Sequence, residues 1–428
     1  MKFQNTLEFA KELDNHDELK KYRNEFIFPQ HNEKDVIYFT GNSLGLQPKS
    51  AKKYVDEVMN DWGNLAVEGH FFAEKPWWDY HERFAEPLSK IVGAKPSEIT
   101  VMNTLTVNLH LLMVSFYKPT SKRYKIICEE KAFPSDQYMF QSQVQFHGYK
   151  LEDTIVEIKR RDGEHNIHLE DILAKIEEVG DELALVLFGG VNYYTGQVFD
   201  MKAITKAGHK VGAKVGFDLA HAAGNIKLDL HNWNVDFAAW CSYKYMNSGP
   251  GNASGCFIHE MHHSADLPRF AGWWAQKKEK RFLMEPKFNP TIGADGWQIS
   301  NLPVLSLAPY LASTEMFAEV GMEKLITKRN QITAYLEFIL HEIDKELDGT
   351  EFEIITPSNQ EERGCQLSVF LHGQGKELFH YLMKNGVITD WREPNVIRLA
   401  PVPLYCSYQD MYNFGQILKQ GILSLSKS

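Results

Sequence analysis

The chain has 428 residues, 43% hydrophobic and 24% charged, with a formal net charge of −10. That length supports a large core and more than one domain, and the acidic balance argues against a nucleic-acid partner, which needs an excess of Lys and Arg on one face. No segment approaches the ~20 consecutive apolar residues of a membrane span, the polar opening stretch lacks the apolar core of a secretory signal, and the five scattered cysteines, Cys128, Cys241, Cys256, Cys365 and Cys406, show no C-x-x-C spacing; a reduced cytoplasmic protein without a metal site is expected.

The first ~30 residues read as one or two polar helices. DVIYFT, residues 35–40, reads as a short strand, and GNSLGLQP as a glycine-rich turn. Tyr54, Val55, Val58, Met59 and Trp62 then share one helical face behind an N-cap at Ser50. NTLTVNLHLLMVSFY is a helix with threonines near its start, KIICEE a strand, and residues 135–147 a helix. TIVEIK is a strand, 169–179 a helix, LALVLFGGV a near-continuous apolar strand, 200–212 a helix, and AKVGFD a strand. VDFAAWCS and SGCFIHE are two more strands, and KKEKR, residues 277–281, reads as a solvated loop. Residues 305–345 are strongly helical, with FEIIT, GCQLSVFLH and VIRLAP as later strands. Apolar strands alternating with amphipathic helices predict an α/β chain: a large domain with a mostly parallel sheet covered by helices, plus a smaller α+β domain. The expected division is an N-terminal helical segment (1–65) packing with the small domain, a large domain (66–305) and a small C-terminal domain (306–428).

Two residues carry the chemistry. Asp218 ends the AKVGFD strand, where ligands bind in open α/β sheets, and Lys244 follows the next strand. This pair suits pyridoxal phosphate: the lysine forms a Schiff base with the aldehyde, and the carboxylate holds the pyridine nitrogen protonated. Each has a plainer reading, a solvated loop lysine and an aspartate capping the LAHAAG turn, and spacing alone leaves the two readings in balance. Thr104 and Thr106 open a helix whose first N–H groups can bind an anion, or they simply cap it. In FPSD, Phe133 can stack on a cofactor ring, with Ser135 or Asp136 hydrogen-bonding to it; the alternative is a turn with Pro134 at the first helical position.

GNSLGLQPK, TVNLHLLM, KAFPSD, YTGQ, ITKAGH, VGFDLAHAAGN, WCSYKY, ISNLPVL, EERGCQL, REPN and IRLAPVPLY together resemble the kynureninase family, from about residue 38 to about 410. That family belongs to the aspartate-aminotransferase-like type I fold of pyridoxal-phosphate enzymes. The resemblance implies hydrolytic Cβ–Cγ cleavage of L-3-hydroxykynurenine, as the preferred substrate, and of L-kynurenine, through a ketimine of the cofactor. The products are L-alanine and 3-hydroxyanthranilate or anthranilate. It implies that Leu105 and Thr106 meet the cofactor phosphate and that Phe133 stacks on the ring within the Pro134, Ser135, Asp136 stretch. Asp218 pairs with the pyridine nitrogen, with His221 close by. Tyr243 hydrogen-bonds the phosphate and is a candidate proton relay, and Lys244 carries the cofactor and acts as general base. Trp273 and Asn301 complete the site from the other subunit of an obligate homodimer. Ser43 lies in the substrate site, and Arg398 grips the substrate α-carboxylate, a job suited to a bidentate guanidinium. His70 and Asn301 match members preferring the 3-hydroxylated substrate; many bacterial kynurenine-preferring members carry tryptophan and threonine there. A site built to hydrogen-bond a hydroxyl discriminates against the analogue lacking it. Departures are small, NTLT for NALT and GWW for GWF. Cysteine desulfurases share the architecture, but they place a histidine before the lysine and use a cysteine on a mobile loop. Here Tyr243 precedes Lys244, and Cys365 lies in a strand-like GCQLSVF run that reads as core.

Overall fold

In the computed structural model, which describes residues 2–347 and 351–425, the alternating stretch forms one seven-stranded sheet. Its spatial order is Ile99–Met102, Ser254–Ile258, Phe237–Trp240, Lys214–Asp218, Leu183–Gly189, Lys125–Glu129 and Ile155–Ile158. The pairings are parallel except the two made by Ser254–Ile258. The strands are apolar runs because both faces are covered. Val186, Phe188, Val215 and Phe217 enter one core cluster, with Ile172 and Ile204 from helices Leu169–Val179 and Met201–Lys210. Leu185, Leu187 and Ile126 alternate into a second cluster, with Leu112 and Phe140 from helices Leu105–Phe116 and Pro134–Phe146.

A second, antiparallel sheet has the order Phe352–Ile354, Leu367–Leu371, Val396–Leu399, Asp390–Arg392. The N-terminal segment joins this unit. Helix Leu7–His16 packs on helix Tyr408–Leu425, Phe3 and Phe9 pack on Tyr335, and Ile37–Tyr38 pairs in parallel with Val387–Ile388. A bridge from Thr40 to Ala400 then delivers the GNSLG turn to the space between the two sheets.

Several elements depart from the sequence reading. Ile99–Met102 is a strand where none is expected. The strongly helical stretch 305–345 is helical as expected, in two helices, Val304–Val320 and Met322–Glu346, parted at Gly321, whose φ of 80° favours glycine. Ser50 stands at the N-cap position of Ala51–Leu65, but its torsions are already helical (φ −65°, ψ −25°) and its side chain makes no capping hydrogen bond. On that helix Val58 is buried, whereas Met59 and Trp62 are 47% and 57% exposed, so the apolar face is only partly covered. The KKEKR stretch is not simply solvated. It enters the 3-10 turn Lys278–Leu283, and Arg281 is buried over the rings of Trp78 and Trp274, its Nε donating to the Gln276 carbonyl at 3.0 Å. Guanidinium–aromatic stacking overrides the charge pattern there. No helix among the described residues is long and apolar enough to cross a membrane.

Candidate active site

At the carboxyl ends of the parallel strands lies a cavity of about 380 Å³, walled on its far side by Arg392 and Arg398 of the smaller sheet. Three adjacent strands end in Asp218, Gly189 and Glu129, with Asp218 and Gly189 in direct register. Asp218 is buried, and its Oδ1 accepts from the Ala220 N–H at 2.7 Å. The capping reading is therefore correct as far as it goes, and the same carboxylate also faces the cavity.

Lys244 reaches the cavity from the loop after Phe237–Trp240. Its Nζ lies 3.0 Å from His221 Nε2 and 5.8 Å from the centre of the Phe133 ring. Burial, and then the Lys244 charge, push the His221 imidazolium far down, so the ring is neutral and can accept from the ammonium. The other ring nitrogen, Nδ1, is buried without a partner among the described residues. The GNSLG turn seats directly on this loop: the Gly45 N–H donates to the Tyr243 carbonyl at 2.8 Å, and a Cβ at Gly45 would stand 2.4 Å from the Lys244 oxygen. That close approach demands glycine and sets Asn42 and Ser43 into the cavity wall. Tyr243 lines the cavity too, its hydroxyl pushed up by burial and by neighbouring Cys241.

Two helices open toward the same space. Thr104 has extended torsions at the N-cap of Leu105–Phe116, yet its side chain caps nothing. The first N–H groups of that helix, with Leu105 and Thr106, are left for an anion. Phe133 is the N-cap residue of Pro134–Phe146, with Pro134 in its first turn, as the turn reading expects. Pro134 itself does not line the cavity; Phe133, Ser135 and Asp136 do.

The acids are coupled. Burial, then Asp218, drive the Asp136 carboxyl well above the usual range, and it shares a hydrogen bond with Asp218. Burial raises the Asp218 carboxyl as well, but the Ala220 N–H and the Lys244 charge pull it back, so Asp136 is the more strongly raised of the two. Glu129, buried beside them, is pushed up to about 8, first by burial and then by Asp218.

Arg398 is buried, 2.7 Å from the Asp390 carboxylate directly across the strand pair. It donates to the Tyr193 carbonyl at 2.7 Å and to Ser43 Oγ at 3.1 Å, and Ser43 itself donates to Asp390. A guanidinium held this rigidly in a cavity wall suits carboxylate recognition.

His70, Trp273 and Asn301 are not brought to this cavity. His70 packs edge-on against Trp77, Trp273 against Trp78 and Phe282, and Asn301 is exposed. Sequence reasoning assigned no role to Asn42, Glu129, Gly189, Val191, Tyr193, Ala220 or Arg392, all of which line the cavity. Asn42, Ala220 and Arg392 sit inside GNSLG, VGFDLAHAAGN and REPN, so the motifs carried a signal for those three.

Pyridoxal phosphate fits what is present: an uncapped helix start for the phosphate, a buried aspartate for the pyridine nitrogen, and a phenylalanine ring beside the lysine amine. A family profile described as aminotransferase class-V matches residues 37–264, and one described as kynureninase C-terminal domain matches residues 327–418. A kynureninase from Flavobacterium psychrophilum is 85% identical over 424 residues, 99% of this chain and 100% of that protein. The chain belongs to the kynureninase family. It is accordingly a pyridoxal-phosphate-dependent carbon–carbon hydrolase of the type I fold. Kynureninases from Flavobacterium johnsoniae (81% identical, 99% of this chain and 100% of that one) and Myxococcus xanthus (51%, 97% of each) match as well. Among solved structures, an apo cysteine desulfurase from Thermococcus onnurineus NA1 superposes with a TM-score of 0.76 at 16% identity, covering 95% of this chain and 98% of that one. A cystine C–S lyase gives 0.75 at 15%, covering 90% and 97%. Those distant likenesses concern the fold alone. Unlike a reactive cysteine, Cys365 of this kynureninase-family chain is buried, and burial pushes its thiol up to about 12.

Proposed function

We propose that the chain hydrolyses the Cβ–Cγ bond of kynurenines at the Lys244 cavity, with L-3-hydroxykynurenine preferred over L-kynurenine. One observation carries this reading: the Lys244 amine faces a neutral imidazole, with a buried aspartate on one side and a buried arginine on the other. When bound, the cofactor would supply the electron sink for bond cleavage. The chain's residues do the rest. Leu105 and Thr106 at the open helix start, together with Tyr243, hold the phosphate. Phe133 covers the ring, with Pro134, Ser135 and Asp136 shaping the turn behind it, and Asp218 keeps the pyridine nitrogen protonated. Lys244 carries the cofactor, then takes the substrate Cα proton as general base, with His221 accepting from its amine. Arg398 and Ser43 bind the substrate α-carboxylate. A water adds at the ring ketone, and alanine and the anthranilate leave.

Completion of the site by a second copy is part of the proposal. Phe71, Phe72, Trp273 and Phe282 form an exposed aromatic band, Phe72 at 71% exposure, that also carries His70. Exposed apolar surface of this kind marks an interaction site. In a homodimer this band meets the partner, and Trp273, Asn301 and His70 reach the partner's cavity, where His70 and Asn301 hydrogen-bond the substrate's ring hydroxyl. The small domain is taken to begin near residue 306, with segment 1–65 beside it and the cofactor domain over 66–305. The five free cysteines, all buried, suit a reducing cytoplasm.

The test is steady-state kcat/KM of the cofactor-loaded protein on both substrates, with L-alanine as product. Cleavage of both, with an advantage for the hydroxylated substrate that falls about tenfold in the His70→Trp, Asn301→Thr double variant, is expected for the loss of about one hydrogen bond. Equal cleavage of both discards the preference, and cleavage of neither discards the function.

A further inference from the structure

Glu129 has no part in the account so far, yet it ends its strand inside the cofactor cavity. It is 3% exposed, and its Oε2 is buried without a hydrogen-bond partner among the described residues. Buried polar atoms are nearly always satisfied, and a carboxyl left without a partner on a cavity-lining residue points to a ligand. The neighbouring strand leaves room for it. Gly189 stands between Glu129 and Asp218 in the sheet, and a Cβ there would lie 3.2 Å from Glu129 Oε1. Any larger side chain at 189 would push the carboxyl away, so the bare backbone lets Glu129 lean across toward Asp218.

The charges around it fix its protonation. The titratable groups that act on this corner are Asp218, Asp136 and Lys244. Three carboxylates packed this closely resist ionising together, although Lys244, Arg392 and Arg398 share the cavity. Burial, and then the Asp218 charge, hold the Glu129 carboxyl raised, which favours its neutral form.

We propose that Glu129 is a cofactor-binding residue whose carboxyl hydrogen-bonds the bound pyridoxal phosphate beside Asp218. This rests on the cofactor site described above. A neutral donor steadies the ring without adding a second negative charge beside the one that Asp218 supplies. Glutamine keeps the shape and a donor; alanine removes both.

Apo-protein of full length is titrated with pyridoxal phosphate while the visible absorption band is followed, for the natural sequence, Glu129→Gln and Glu129→Ala. The expected result is near-natural affinity in Glu129→Gln, within about threefold, and at least about tenfold weaker binding in Glu129→Ala, the loss of about one hydrogen bond. Infrared difference spectra of natural protein against Glu129→Gln, which retains the fold if alanine does not, are expected to show the carbonyl stretch of a neutral acid that shifts when the cofactor is added. Natural affinity in Glu129→Ala, binding in Glu129→Gln as weak as in the alanine variant, or an ionised-carboxylate band in the difference spectrum overturns the role of Glu129. Failure of the natural protein to develop the visible band overturns the cofactor site itself.

Discussion

Lys244 and Asp218 meet because neighbouring parallel strands end side by side, and each alone has an innocent purpose: Asp218 does cap the turn after it, at 2.7 Å from Ala220 N. Replacing Lys244 by alanine is expected to lower turnover by roughly 10²-fold to 10⁴-fold or more, the usual worth of a general base, while the protein still binds some cofactor non-covalently; kcat and a cofactor titration check both halves. Arg398→Lys removes the fork that holds Asp390 and Ser43. KM is expected to rise about tenfold or more, with kcat changed less, as when one charge-assisted hydrogen bond is lost. Asp218 was legible because it closes an apolar strand within a motif, and Lys244 because it follows the next strand within another. Glu129 was not: as the fifth residue of a buried strand it looks like a plain boundary, and only the space over Gly189 shows where it points.

Among elements, the strand Phe237–Trp240 is tied at its entry by Asp236. That buried carboxylate accepts from His209 and His262, both at 2.7 Å, from Lys214 at 3.0 Å and from the Val215 N–H at 2.8 Å. Burial alone would raise its pKa, but the two histidine hydrogen bonds and the Lys214 charge outweigh burial and hold it far below the carboxylate range. A depressed carboxyl stabilises the fold above its unfolded value of about 3.9 and loses that contribution as pH falls through the folded value. Asp236→Ala is expected to cost roughly 3–5 kcal/mol at neutral pH, since it strands buried partners, and to show a shallower loss of stability on acidification; thermal unfolding across pH measures both. Element types were largely legible from periodicity. The exceptions have physical causes: Ile99–Met102 is too short to announce itself beside a long apolar helix, and the break at Gly321 hides in a continuous helical pattern.

For the whole molecule, the sheet and its covering helices follow from apolar strands alternating with amphipathic helices, but which apolar surface stays uncovered does not, because exposure depends on the fold. Met59 and Trp62 share a helical face with buried Val58, and nothing in their spacing says that tertiary packing leaves them uncovered. Phe72→Asp, which places a charge in the aromatic band, is expected to shift the protein from dimer toward monomer in light scattering after size exclusion and to weaken cofactor retention; an unchanged dimer would place the interface elsewhere. The central claim is that Lys244 is the residue that holds pyridoxal phosphate. Its most direct test is borohydride reduction of the cofactor-loaded protein followed by peptide mapping. A single cofactor adduct on the peptide containing Lys244 is the expected result, and an adduct on another lysine, or none, would contradict the account.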